Sequence, residues 1–144
     1  MISQPSVNEK ITHLVIWAGF IAVQVFLSLL LMKQYPLSLW AVAPFGRPAA
    51  LGFGIVSAIH WYAGFNLPSI LHGRLPALTG GSPETLAKRN LIFLVIRLAC
   101  FEIVGLLGIV LAILQRNSIL CVPFNALAIL GMILVFPALP RAFK

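Results

Sequence analysis

Three polar side chains that fall inside long apolar stretches are the residues best suited to chemistry. Glu102 stands within RLACFEIVGLLGIVLA, His60 within IVSAIHWYAGF and Gln24 within GFIAVQVFLSL. A carboxylate at the centre of a bilayer costs about 2.5–3.5 kcal/mol on insertion scales. Polar groups at that depth either hydrogen-bond to each other and hold helices together or form a relay for protons. We predict that the three side chains meet, with structural hydrogen bonding as the first interpretation and ion binding as the second.

Arg97 and a set of small residues surround Glu102 in the sequence. Five residues separate Arg97 from Glu102, which is about 140° around a helix. We therefore expect Arg97 to extend toward lipid headgroups rather than toward Glu102. Small residues let membrane helices approach each other closely. The predicted helix-packing positions are Ala99, Gly105, Gly108, Gly54 and Ser57.

The composition indicates that lipid surrounds much of the chain. Of the 144 residues, 60% are hydrophobic and 9% are charged, whereas a soluble domain carries roughly 25% charged residues. The net charge of +7 comes from Lys and Arg residues that are scattered among loops and ends. Such scattering argues against nucleic acid as a partner and is typical of residues that set membrane topology.

Four apolar stretches are long enough for transmembrane helices, since about 20 residues at 1.5 Å each cross the hydrocarbon core. They predict an all-α bundle of four spans, arranged as two helical hairpins, in a single membrane domain over residues 1–144. The predicted spans are 11–32, 48–70, 86–114 and 119–137.

The basic residues predict the orientation. Four spans place the N-terminus, the loop at 71–85 and the C-terminus on one side of the membrane, with six Lys and Arg residues against three on the other side. Because cytoplasmic loops carry the excess of Lys and Arg, both termini are predicted to be cytoplasmic. We expect the protein in the inner membrane of a bacterium.

The first and third spans resemble each other. LVIWAGFIAVQVF begins at Leu14 and LVIRLACFEIVGL begins at Leu94, and Phe20 aligns with Phe101 once Leu98 is skipped. This similarity suggests a duplicated hairpin, and two unrelated hairpins are the alternative. A parallel repeat of two-span units keeps the same orientation in each half.

Motifs for catalysis or for cofactors are missing from the sequence. It contains neither H-E-x-x-H nor G-x-S-x-G, the patterns of zinc proteases and serine hydrolases. Only His60 among the three histidines falls deep in a span, so a pair of haem ligands is not expected. We predict a protein that is not an enzyme and that carries no cofactor and no metal.

The third span resembles the ion-binding helix of the proteolipids that form the c-type ring of rotary ATPases. The resemblance rests on ACFEIVGLLGIVLAIL, in which small residues precede an acid and a Gly-Leu pair opens a run of aliphatic residues. It implies that Glu102, flanked by Ala99 and Gly105, binds H⁺ or Na⁺ in an oligomer. The family usually places its acid on the second helix of a hairpin, whereas Glu102 falls on the first.

These observations support three functions. The first is a small subunit of a larger membrane assembly, with lipids and other subunits, identical or different, as its partners. The second is a proteolipid-like oligomer that binds or translocates H⁺ or Na⁺ at Glu102. The third is an anchor of a respiratory complex that contacts lipid or quinone through His60 and Arg97.

Overall fold

The computed structural model describes residues 7–35, 48–74 and 83–136, and these residues form helices without any strand. The helices are α1 (Val7–Gln34), α2 (Pro48–Arg74), α3 (Pro83–Gln115) and α4 (Cys121–Leu134), and a 3₁₀ turn at Ser118–Leu120 leads into α4. The predicted all-α class with four helices is confirmed. Predictions that rest on the loop at 75–82 or on the C-terminal residues 137–144 lie outside the described residues.

The lengths of the helices differ from the predicted spans. α1 and the segment Lys88–Gln115 of α3 each have 28 residues and are long and apolar enough to cross a membrane. Each measures about 42 Å along its axis. The apolar segment Ser118–Leu134 is shorter, at about 25 Å. The fourth helix ends before the predicted residue 137, because Pro137 disfavours the helical conformation at the residue before it.

The starts of two helices follow from proline. α2 begins at Pro48 and α3 begins at Pro83, and the first position of a helix suits proline because its missing N–H has no helical partner there. α2 also continues through Pro68 to Arg74, beyond the predicted end at residue 70.

α3 and α4 form the centre of the bundle, and α1 and α2 lie on opposite sides of this pair. α1 packs on both central helices, whereas α2 packs mainly on α3 and hardly touches α1 within the described ranges. The prediction of two hairpins is therefore right for α3 and α4 and wrong for α1 and α2. Two polar side chains of α1, Trp17 and Gln24, instead find their hydrogen-bond partners on α4.

The contacts also fix the relative directions of α1, α3 and α4. On α1, Gln24 adjoins Gly105 and Leu31 shares a cluster with Ala112, so α1 and α3 run parallel with residue numbers that differ by 81 in both contacts. α4 is antiparallel to α1. The sequence similarity between the first and third spans has the same difference of 81 after Leu98, so the similar stretches lie side by side at equal height. Duplication itself stays a prediction.

Phe101 fills the centre of the core between α2 and α4. Its side chain is fully buried, with Gly64 on one side and Gly131 on the other. A Cβ atom at Gly64 would lie 2.6 Å from the ring, which is closer than van der Waals contact. The rings of Trp61 and Phe65 pack beside Phe101 at 6.4 and 5.2 Å between centroids. Aromatic contacts with edge-to-face geometry contribute about 0.5–1.5 kcal/mol each beyond area burial.

The outer surface of the bundle is apolar. Large hydrophobic side chains are exposed on all four helices, among them Phe26 at 63%, Tyr62 at 66% and Leu114 at 63%. Soluble monomers rarely expose continuous apolar patches of this extent. The surface is therefore suited to contact with lipid.

Candidate polar site inside the bundle

Gln24 forms the polar contact between α1 and α4. Its side chain is fully buried, and Nε2–H donates a hydrogen bond to Oδ1 of Asn125. One turn further along α1, the Ser28 hydroxyl donates to the carbonyl oxygen of Gln24 at 2.7 Å. Gly105 on α3 leaves room for this arrangement, because a Cβ atom there would collide with the Gln24 carboxamide.

Each amide of this pair keeps one polar atom without a partner. Oε1 of Gln24 and Nδ2 of Asn125 are buried and have no hydrogen bond within the described part of the chain. One is an acceptor and the other a donor, so they are complementary. A buried unsatisfied group costs about 1–3 kcal/mol, and a second hydrogen bond between the amides would remove two such groups.

Glu102 lies near the middle of the bundle on the side of α3 that faces α1. It precedes Ile109 by seven residues, which places both on one helical face, and Ile109 packs against the cluster around Leu31 of α1. Contacting residues of α1 and α3 differ in number by 81, so Glu102 lies at the level of residue 21 of α1. That level is halfway between Lys10 and Lys33 at the ends of α1. The carboxyl group is half-buried, and Oε2 has no hydrogen-bond partner among the described residues.

His60 makes its hydrogen bond within α2. Its Nδ1 lies 2.8 Å from the carbonyl oxygen of Val56, one turn earlier. An Nδ1–H donor in this contact leaves Nε2 as an acceptor. α2 lies on the other side of the central pair from α1, so His60 and Gln24 are on opposite sides of the bundle.

Among the described residues, hydrogen bonds that would join Glu102, His60 and Gln24 to one another are not observed, and an ion site at these residues stays a prediction. Gln24 bonds to Asn125, His60 bonds to its own helix, and Oε2 of Glu102 has no partner in the ranges that the structure describes. The three residues lie at similar distances from the ends of their apolar stretches, which predicted similar levels along the bundle axis. Depth does not determine on which side of the bundle a side chain lies.

Arg97 is half-buried, and its Nε atom is buried without a partner in the described ranges. It lies five residues, or about 7.5 Å along the axis, from Glu102 toward the end of the bundle that carries Lys10. The extension of Arg97 to lipid headgroups stays a prediction.

The predicted packing positions have different surroundings. Gly105 and Gly108 are buried at helix contacts, and a Cβ atom at Gly108 would lie 3.0 Å from Cγ of Phe124. Ala99 is half-buried. Gly54 is exposed, and an added Cβ there would have no atom of another helix within 4 Å. The reason is that α2 packs mainly on α3, so that a gap separates it from α4 at this position. Ser57 is 5% exposed, and its hydroxyl has no partner in the described part.

Two tryptophans that are not among the predicted site residues attach the outer helices to α4. Trp17 Nε1–H donates to the carbonyl oxygen of Met132 at 2.9 Å, and Trp61 Nε1–H donates to that of Leu127 at 3.1 Å. The Met132 carbonyl is one of the last four of α4, which lack a donor within their own helix. A tryptophan inside an apolar span was the available signal, since its indole N–H needs an acceptor when buried.

Metal binding has no support in the described part of the chain, where no group of three or more His, Cys, Asp or Glu side chains could hold an ion. Cys100 is half-buried and Cys121 is buried, and both are free thiols.

Comparison with protein-family models, with curated proteins and with solved structures found no match. The resemblance of the third span to the ring proteolipids accordingly stays a prediction.

Proposed function

We propose that this chain is an integral membrane protein with four spans and acts as a small, non-enzymatic subunit of a larger membrane assembly. The supporting observation is the environment of α1. Only Gln24, Ser28 and Leu31 of this helix are buried, and large apolar side chains such as Phe26 and Leu29 are exposed. A helix with this pattern suits lipid or a neighbouring subunit on most of its circumference.

The orientation proposed is cytoplasmic for both termini. Labelling of single cysteines in whole cells tests it, in a background that carries Cys100→Ser and Cys121→Ala. Lys10→Cys and Lys33→Cys are a matched pair, because these lysines lie at opposite ends of α1. A maleimide that does not cross membranes should label only Lys33→Cys, and both variants should react after permeabilisation. Labelling of both in intact cells would contradict a spanning α1.

The subunit role is tested by extraction in a mild detergent followed by measurement of the native mass and identification of proteins that co-purify. We expect a complex larger than one 15.7 kDa chain. A monomer at every detergent concentration that preserves helicity would contradict the proposal. A charge introduced on the exposed face of α1, for example Leu29→Glu, should release the chain from the complex, whereas Leu29→Ile should not.

Proton binding at Glu102 is the second candidate function, and the unpartnered Oε2 at the middle level of the bundle favours it. A lone carboxyl group suits a proton better than a metal cation, because hard cations collect several oxygen ligands. Dicyclohexylcarbodiimide, which reacts with protonated carboxyl groups in apolar sites, should modify Glu102 in wild type and not in Glu102→Gln. Glu9→Gln is the control at the helix end. Equal proton flux in Glu102→Gln and wild-type vesicles would exclude translocation.

A further inference from the structure

The seam between α2 and α4 contains an apolar cavity of about 360 Å³. Gly54, Ser57 and Trp61 of α2 form one wall, and Phe124 and Leu127 of α4 form the other. The cavity exists because α2 packs mainly on α3, so few contacts close the seam. The indole N–H of Trp61 already donates to α4, and the Ser57 hydroxyl is buried, so the surface offered to a ligand is hydrocarbon.

The size of the cavity decides between two classes of occupant. The residues of α2 that line the cavity extend from Gly54 to Trp61, which is about 10 Å along the helix axis. A spanning helix has more than five turns of 5.4 Å each and is about 10 Å wide with its side chains. The cavity is therefore too short to match a helix from a second copy or from another subunit.

A slender hydrocarbon chain does fit. An apolar cavity of about 150 Å³ holds one benzene, which has six carbon atoms. At the same cavity volume per carbon atom, the space of about 360 Å³ holds about 14 carbon atoms. This number is comparable with much of a fatty acyl chain. Binding pockets for small apolar ligands start at about 300 Å³.

We infer that the cavity between α2 and α4 binds one acyl chain of a membrane lipid. The inference rests on the proposed location of the bundle in a membrane. The acyl chain contacts the Trp61 ring and the α2 surface at Gly54, where an added Cβ would have no atom of another helix within 4 Å. A bound chain closes the seam that the protein leaves open.

Quenching of Trp61 fluorescence by brominated lipid tests this site. The protein, with Trp17→Phe and Trp40→Phe, is placed in phosphatidylcholine vesicles that carry bromine midway along one acyl chain. Gly54→Leu should lower the quenching of Trp61 at least twofold, because the leucine side chain occupies about 100 Å³ of the cavity at the same volume per carbon atom. Gly52→Leu is the matched control, since Gly52 is also open but does not line the cavity. Both substitutions favour the helix equally.

Equal quenching of Trp61 in Gly54→Leu and Gly52→Leu would overturn the inference. If Gly54→Leu loses helicity, Ala58→Leu provides a second way to fill the same wall. A change in native mass with Gly54→Leu, without loss of quenching, would assign the seam to a protein partner instead and would also overturn it.

A reporter on α1 separates this result from a failure of the proposed membrane location. Phe26→Trp, combined with Phe in place of the three native tryptophans, puts the fluorophore at an exposed position. No quenching of this reporter would mean that the bundle is not in the bilayer. Strong quenching of the reporter together with equal quenching of Trp61 in Gly54→Leu and Gly52→Leu would reject the acyl-chain site alone.

Discussion

One added methyl group at Gly105 should loosen α1 from the central pair of helices. In Gly105→Ala the new Cβ would collide with the carboxamide of Gln24, whose Oε1 would lie 2.7 Å away. The Gln24 side chain is fully buried and donates to Asn125, so it cannot move without disturbing that hydrogen bond. The contact between α1 and α4 would weaken as a result.

The magnitude follows from three contributions. Overpacking of a well-packed site costs about 1–3 kcal/mol, and loss of one hydrogen bond between membrane helices costs about 0.6–1.7 kcal/mol. The higher helix propensity of alanine offsets about 1 kcal/mol of this loss in the free energy of unfolding. The net decrease in the free energy of unfolding for Gly105→Ala is therefore about 1–4 kcal/mol. Gly19→Ala is the control, because no atom lies within 4 Å of its added Cβ, and it should stabilise α1 by up to about 1 kcal/mol.

The measurement is unfolding in mixed micelles with increasing sodium dodecyl sulfate, followed by circular dichroism. A double-mutant cycle with Gln24→Ala isolates the steric contact, because the shorter side chain makes room for the methyl group. The double variant should be more stable than the sum of the single effects predicts, by about 1–2 kcal/mol. Additive effects within about 0.5 kcal/mol, or a Gly105→Ala protein as stable as wild type, would refute the steric reasoning.

Three further outcomes are expected. Phe101→Ala should lower the free energy of unfolding by about 3–5 kcal/mol in the same titration, because the fully buried ring fills the core, and an effect below 1 kcal/mol would contradict this packing. Trp17→Phe should cost about 0.5–1.5 kcal/mol, because it removes the hydrogen bond to Met132; stability equal to wild type would show that this bond contributes nothing. N-ethylmaleimide should modify Cys100 before Cys121, which is fully buried, and mass spectrometry of cleaved protein reports the order; the reverse order would place Cys121 outside the core.

Local signals in the sequence predicted the helices. Apolar runs of sufficient length exist at each of them, and prolines at positions 48 and 83 mark two starts. The contacts between helices were harder to predict because apolar residues surround each helix, so no stripe identifies the side that faces inward. The small residues near Glu102 did identify Gly105 and Gly108 as positions that can lie at contacts. They did not reveal that α1 and α2 pack apart.

The polar residues illustrate the same limit. Their depth in the sequence could be estimated at 1.5 Å per residue, and this placed Glu102 correctly near the middle level of the bundle. The partner of Gln24 is an amide on α4 rather than the carboxylate on α3. That choice depends on the rotation of each helix about its axis, which is fixed by packing such as that of Phe101 between two glycines. Nothing in the local sequence determines that rotation.

The bond between Gln24 and Asn125 joins residues 101 positions apart in the chain. At a synthesis rate of about 5–20 residues per second, α1 emerges about 5–20 s before its polar partner on α4 exists. During this interval Gln24 has neither Asn125 nor the Gly105 surface to pack against. In a membrane, α1 must then be retained by its apolar length alone, and the amide faces lipid or the insertion machinery. α4, made after α1 and α3, therefore completes the environment of α1.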